Sequence, residues 1–169
     1  MRKYISLAIF VIFALSSNVY SHVQHYKDLK FLKYGLYFND KLIGHHTFEF
    51  KQKDGFLYVN GLGNFTVNKL GVALFDFKTE SVEVFKKGKL VKYTSKTTQN
   101  EKEKYVNLKY NESSKKFIID GSSYKGEASL DCTIGNWWNH KIFKATKQIS
   151  PLSGSINCLL YTSPSPRDS

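Results

Sequence analysis

From Leu29 to Asp120 apolar and polar residues alternate with a period of two, and turn-forming pairs interrupt the alternation at short intervals. Successive side chains of an extended strand point to opposite faces, so this period fits half-buried strands and argues against amphipathic helices. In KYGLYF, Tyr34, Leu36 and Phe38 share one face, and Asn39-Asp40 follows as a turn signal. In GHHTFEF, His46, Phe48 and Phe50 share one face while His45, Thr47 and Glu49 take the other. Lys53-Asp54-Gly55, Lys87-Gly88, the polar stretch 99–103, the stretch 111–115 and Asp120-Gly121 read as further turns. Gly61 and Gly63 signal a bulge or sharp bend inside FLYVNGLGNFTVNKL, and VALFDFKTESVEVF reads as two strands. The expected count is about eight or nine strands of ordinary length, joined as an antiparallel meander.

The texture changes after Cys132. GNWWNHKIFKATKQI spaces Trp138, Ile142 and Ala145 at helical intervals, which predicts a short helix near 135–147, ended by Pro151. SPLSG then reads as a turn toward a strand that the residues up to Ile156 do not supply. A long antiparallel sheet with one apolar face must curl or be covered. The expected fold is therefore mainly β, a meander curled into a half-barrel or calyx-like sheet with the helix in its concavity.

Both ends differ from this body. Residues 1–21 carry Arg2 and Lys3, a short apolar core from Ile5 to Leu15, and Val19-Tyr20-Ser21. That is the pattern of a secretory signal peptide cut after Ser21, with an apolar stretch shorter than a bilayer requires. At the other end, Cys158 through Asp168 reads without mismatch as the translation of a transposase-type sequencing adapter. Residues 158–169 are thus expected to be non-native, leaving 22–157 as a single β-rich domain, truncated at its C-terminus. Its one native cysteine is Cys132, so no Cys132–Cys158 disulfide is expected.

The formal net charge is +11. The lysines are spread along the chain, and arginine occurs only at Arg2 and Arg167. Arginine is the preferred residue for bidentate phosphate recognition, so nucleic acid is not an expected partner. A basic exterior suits solubility and attraction to an anionic membrane surface.

Four stretches carry a resemblance to a known family. FNDKLIGHHTFEF looks like its opening strand pair, and ESVEVFKKGKLVKYTSKTTQNEK looks like its central pattern of Glu, an aromatic, a Gly-Lys-Leu turn and a Ser-x-Thr strand. CTIGNWWNHKIF matches its Cys followed by an aromatic-Trp-Asn step, and ISPLSG matches its Leu-Asn-Pro-x-Thr-Gly-like close. On these, residues 34–154 resemble the domain-of-unknown-function family 6134 of bacterial exported proteins. Phe85 stands where that family more often has Trp, and Ser150 where Asn or Asp is usual. None of the stretches is a catalytic signature. The resemblance implies an exported half-barrel in the periplasm of a Gram-negative bacterium.

His45 and His46 are strand neighbours, so they cannot chelate one metal together. His46 belongs with Phe48 and Phe50, while His45 shares its face with Glu49. His22, at the expected new N-terminus, has His25 nearby as a second nitrogen ligand for copper. Cys132 has His140 as its only nearby base and reads more simply as a buried thiol. Asp76, Glu80 and Glu83 read as solvated faces. No catalytic residue, metal or cofactor is expected.

Trp137, Trp138 and Phe143 either plug the concave face or form one wall of an apolar pocket. The opposite wall would be Tyr34, Leu36, His46, Phe48, Phe50, Phe65, Val67, Tyr93 and Val106. The leading expectation is a protein that binds a hydrophobic or amphiphilic, lipid-like molecule there. The alternative is an envelope adaptor that binds another protein through a sheet edge, and an enzyme ranks third.

Overall fold

The computed structural model of the chain describes residues 28–69 and 72–158; the expected leader, His22, His25 and the tail after Cys158 lie outside the described residues. Eight strands form one antiparallel meander in chain order. They are β1 Phe31–Phe38, β2 Lys41–Lys53, β3 Phe56–Lys69, β4 Val72–Lys86, β5 Lys89–Gln99, β6 Lys102–Asn111, β7 Lys116–Gly121 and β8 Lys125–Ala128. β1 and β8 are the two edges, so the sheet does not close into a barrel.

Four connections are two-residue hairpins, at Asn39-Asp40, Asp54-Gly55, Lys87-Gly88 and Asn100-Glu101. Both central residues of each have positive φ, from 47° to 77°. That is the turn whose own twist matches the twist of the flanking strands, and Asn, Asp and Gly adopt it most readily. The turn signals of the sequence therefore set the register of half the sheet.

Three expectations are corrected. VALFDFKTESVEVF forms a single 15-residue strand, β4, rather than two. Gly61 and Gly63 mark no break in the ladder, which runs through them and shifts only between Val67 and Asn68. They provide clearance instead: a Cβ on Gly61 would stand 2.5 Å from Ser81 Oγ and 3.2 Å from the Phe48 ring. The helix near 135–147 is absent, and only a 3-10 turn forms, at His140–Phe143. Asn136 is committed to Glu83, and Asn139 caps the turn by accepting from the Lys141 amide, so winding starts only at residue 140.

The chain after β8 lies against the inner face of the meander. It adds β9 Cys132–Ile134, β10 Lys147–Ile149 and β11 Ile156–Cys158, with β10 between the other two. A short strand thus does follow Gly154. Its last residue, Cys158, contributes backbone pairing to Lys147, which any residue could supply. Ile134 and Ile149 pack on Tyr93, Val106, Leu108, Phe117 and Ile119, while Trp138 packs on Phe48, Phe50, Val59 and Phe85. This C-terminal segment covers the face that a lone sheet would leave wet.

Candidate functional site

The inner face is not uniformly apolar. Thr79, Ser81 and Glu83 of β4 and Tyr93, Ser95 and Thr97 of β5 are all buried, forming a polar strip down its centre. The alternation of β4 runs Phe77, Thr79, Ser81, Glu83, Phe85 on the inside, with Val82 outside at 37% exposure. Such a strip is stable only if its polar atoms find partners. Thr79 Oγ1 and Thr97 Oγ1 lie 2.8 Å apart. Ser95 Oγ and the Tyr93 hydroxyl both donate to the Pro151 carbonyl, at 2.6 and 3.0 Å.

Glu83 is the deepest member, 2% exposed. Its Oε1 accepts two hydrogen bonds, from Asn136 Nδ2 at 2.6 Å and Trp138 Nε1 at 2.5 Å. Burial pushes its pKa from 4.5 up to about 7, against the pull of those two donors. Burial, and then the charge of Glu83, hold the Tyr93 phenol well above the ordinary tyrosine range. Glu83, Asn136 and Trp138 form a hydrogen-bonded wall, with Asn136 lining a cavity on one side and Glu83 a cavity on the other.

The first cavity has a volume of about 380 Å³. Leu36, Phe65, Phe75, Phe77, Trp137 and Leu152 give it apolar surface, and Ser81, Tyr93, Gln99, Asn136 and Gln148 give it polar groups. Phe65 stacks on Phe77 at 4.8 Å and on Phe75 at 5.6 Å. His46 also lines it, its ring tilted against Phe48 at 4.3 Å and edge-on to Trp137 at 5.7 Å. Burial lowers the His46 pKa. Among the described residues no Asp, Glu, Lys or Arg lines this cavity.

The second cavity, of about 690 Å³, lies beyond the wall between the β4–β5 hairpin and the 3-10 turn. Phe85, Leu90, Tyr110, Phe117 and Ile134 line it together with five lysines. None of the twelve pocket residues expected from the sequence belongs to it.

A family model described as Domain of unknown function (DUF6134) matches residues 34–163. The chain belongs to this family. No curated protein and no solved structure matches it. Three of the stretches that resemble DUF6134 contribute to the wall and to the polar strip beside it. Glu83 comes from ESVEVF, Asn136 and Trp138 from GNWWNH, and Pro151 from ISPLSG.

Of the expected pocket residues, Leu36, His46, Phe65, Tyr93 and Trp137 come together around the first cavity. Phe48, Phe50 and Trp138 are core, and Tyr34 packs edge-on to Phe48 at 6.1 Å. Phe143 is 73% exposed and lines neither cavity. Val106 is buried in the aliphatic half of the core. Glu49, on the face of His45, pairs with Lys51 at 3.0 Å. Among the described residues no group of three His, Cys, Asp or Glu could hold a metal ion. Cys132 is a free, buried thiol that burial pushes above its ordinary pKa, and its Sγ lies 3.9 Å from Ser129 Oγ.

Glu83 was read as solvated and is not. The signal lay in phase rather than composition, since Glu83 sits in step with Phe77 and Phe85 on β4.

Proposed function

We propose that this DUF6134 chain is an exported protein that binds a lipid-like, uncharged amphiphile in the first cavity. The observation that carries the reading is the lining. Aromatic and aliphatic side chains surround the space, a few convergent amide and hydroxyl groups can orient a polar head, and no charged carboxylate or ammonium intrudes. The volume falls within the ordinary range for small-molecule sites. The basic exterior supports meeting an anionic membrane surface, where such ligands reside.

Native mass spectrometry of the protein purified without detergent, combined with a monolaurin titration, tests the reading. Trp137 lines the cavity at 59% exposure, so its fluorescence should shift to the blue as ligand covers it. Trp137→Ala should weaken monolaurin binding about tenfold through the lost aromatic face. A bare polypeptide mass together with no saturable titration would overturn the proposal. The alternative, strand addition by another protein, draws on the open edge at β1, where Tyr37 and Phe38 are exposed.

A further inference from the structure

The second cavity has a different chemistry, and it stands independently of the reading above. Lys86, Lys87 and Lys89 reach it from the β4–β5 hairpin, and Lys141 and Lys144 from the 3-10 turn. Cations therefore come to one apolar cavity from two separate elements. The acids lining it are Glu112, Asp131 and the buried Glu83, so lysines are in excess. Lys86 Nζ is engaged 5.5 Å from the centre of the Phe56 ring, which does not line the cavity, so Lys87, Lys89, Lys141 and Lys144 are the cations that face a ligand there. Lys141 is half-buried, and burial alone holds its pKa below the ordinary lysine range. An ammonium in that position gains from an anion brought beside it. Interior surface from Phe85, Leu90, Phe117 and Ile134 gives a hydrocarbon chain a place to lie.

We propose that this second cavity is a binding site for a single-chain amphiphile with a compact anionic head, its chain against Phe85, Leu90 and Ile134 and its head among the lysines. Carboxylate and phosphate heads share the chemistry, and the site discriminates against a neutral head of equal chain length. Lys89 and Lys141, from the two opposed elements, set that discrimination.

The test is an NMR titration of the full chain with dodecanoate, dodecyl phosphate, dodecanol and inorganic phosphate. The Lys87 and Thr133 amides report on the second cavity, and the Gly63 and Leu152 amides on the first. Dodecanoate or dodecyl phosphate should saturate the Lys87 and Thr133 shifts at one equivalent, and the tighter of the two names the head. Dodecanol should act on those amides at least tenfold more weakly, as expected when a charge-assisted contact is missing. Lys141→Gln should weaken the anionic probe about tenfold, and Lys89→Gln, at an exposed position, should do so without touching packing. Trp137→Ala should leave these shifts unchanged. The proposal is overturned if dodecanol matches dodecanoate at Lys87 and Thr133, or if inorganic phosphate alone binds there as tightly. It is equally overturned if dodecanoate moves only Gly63 and Leu152, an outcome that leaves the first cavity's reading intact.

Discussion

The two cavities share one concave face, yet they differ in almost everything that decides a ligand. On one side of the Glu83–Asn136–Trp138 wall the lining holds rings, amides and hydroxyls without a formal charge beyond a His46 that burial disposes to neutrality. On the other it holds five lysines over an apolar floor. The same two strands, β4 and β5, build both. What differs is position along them: the first cavity takes Phe75 to Ser81, and the second takes the Lys86-to-Lys89 turn. A meander can therefore carry two chemistries on one face, provided something keeps them apart. Here that element is a carboxyl group with two donors on a single oxygen.

Removing the wall's largest member gives the largest expected effect. Trp138 is buried, with Phe50 and Phe85 edge-on at 5.3 and 5.7 Å. Trp138→Ala should cost about 3–5 kcal/mol in urea-denaturation stability, the usual range for truncating a core aromatic. It also strips Glu83 of one donor, so the wall should loosen and the ligand preferences on its two sides should blur. A loss below about 1 kcal/mol would mean that the wall is not a packed element.

The carboxyl itself comes next. Because the pKa of Glu83 rises from 4.5 to about 7 on folding, the folded chain keeps a proton that the unfolded chain releases. Its contribution is most favourable below pH 4.5, declines as pH rises through the window to 7, and levels off above. The decline should be on the order of 3 kcal/mol. His46 acts with opposite sign, since its lowered pKa favours the folded state above its ordinary value and that benefit fades as pH falls. The difference between wild type and Glu83→Gln isolates the first term. That difference should widen from pH 4.5 to 7, and a flat one would show that Glu83 ionises freely.

The contrast between cavities also marks where sequence reading succeeded. Period-two alternation and the pairs at residues 39, 54 and 87 were enough for the meander, because turn chemistry and strand phase are local. The first cavity was half visible, since Leu36, His46, Phe65, Tyr93 and Trp137 announce themselves as large groups on inward faces. The wall was not visible. Glu83 becomes a core residue only because Asn136 and Trp138 arrive from more than fifty positions away, a contact that no local pattern encodes. The helix failed for the same reason: the spacing of Trp138, Ile142 and Ala145 is helical, but Asn136 and Trp138 are committed to the distant Glu83 and winding starts only after the Asn139 cap. The second cavity stayed hidden because its lysines read as an ordinary turn until the C-terminal segment was laid across it.

The smallest effect tests how tightly the first cavity's floor is tied to that segment. Tyr93 and Ser95 donate to one acceptor, the Pro151 carbonyl. Tyr93→Phe should therefore cost only about 1 kcal/mol, since the carbonyl keeps its bond from Ser95. Ser95→Ala should cost a similar amount for the mirror-image reason. Removing both leaves a carbonyl in the cavity wall without either donor, so the double variant should lose more than the sum, by on the order of 1 kcal/mol. Strict additivity would mean that solvent already reaches Pro151 through the first cavity. In that case the polar strip would be wet rather than sealed, and its groups would be available to a ligand head instead of being committed to holding the chain in place.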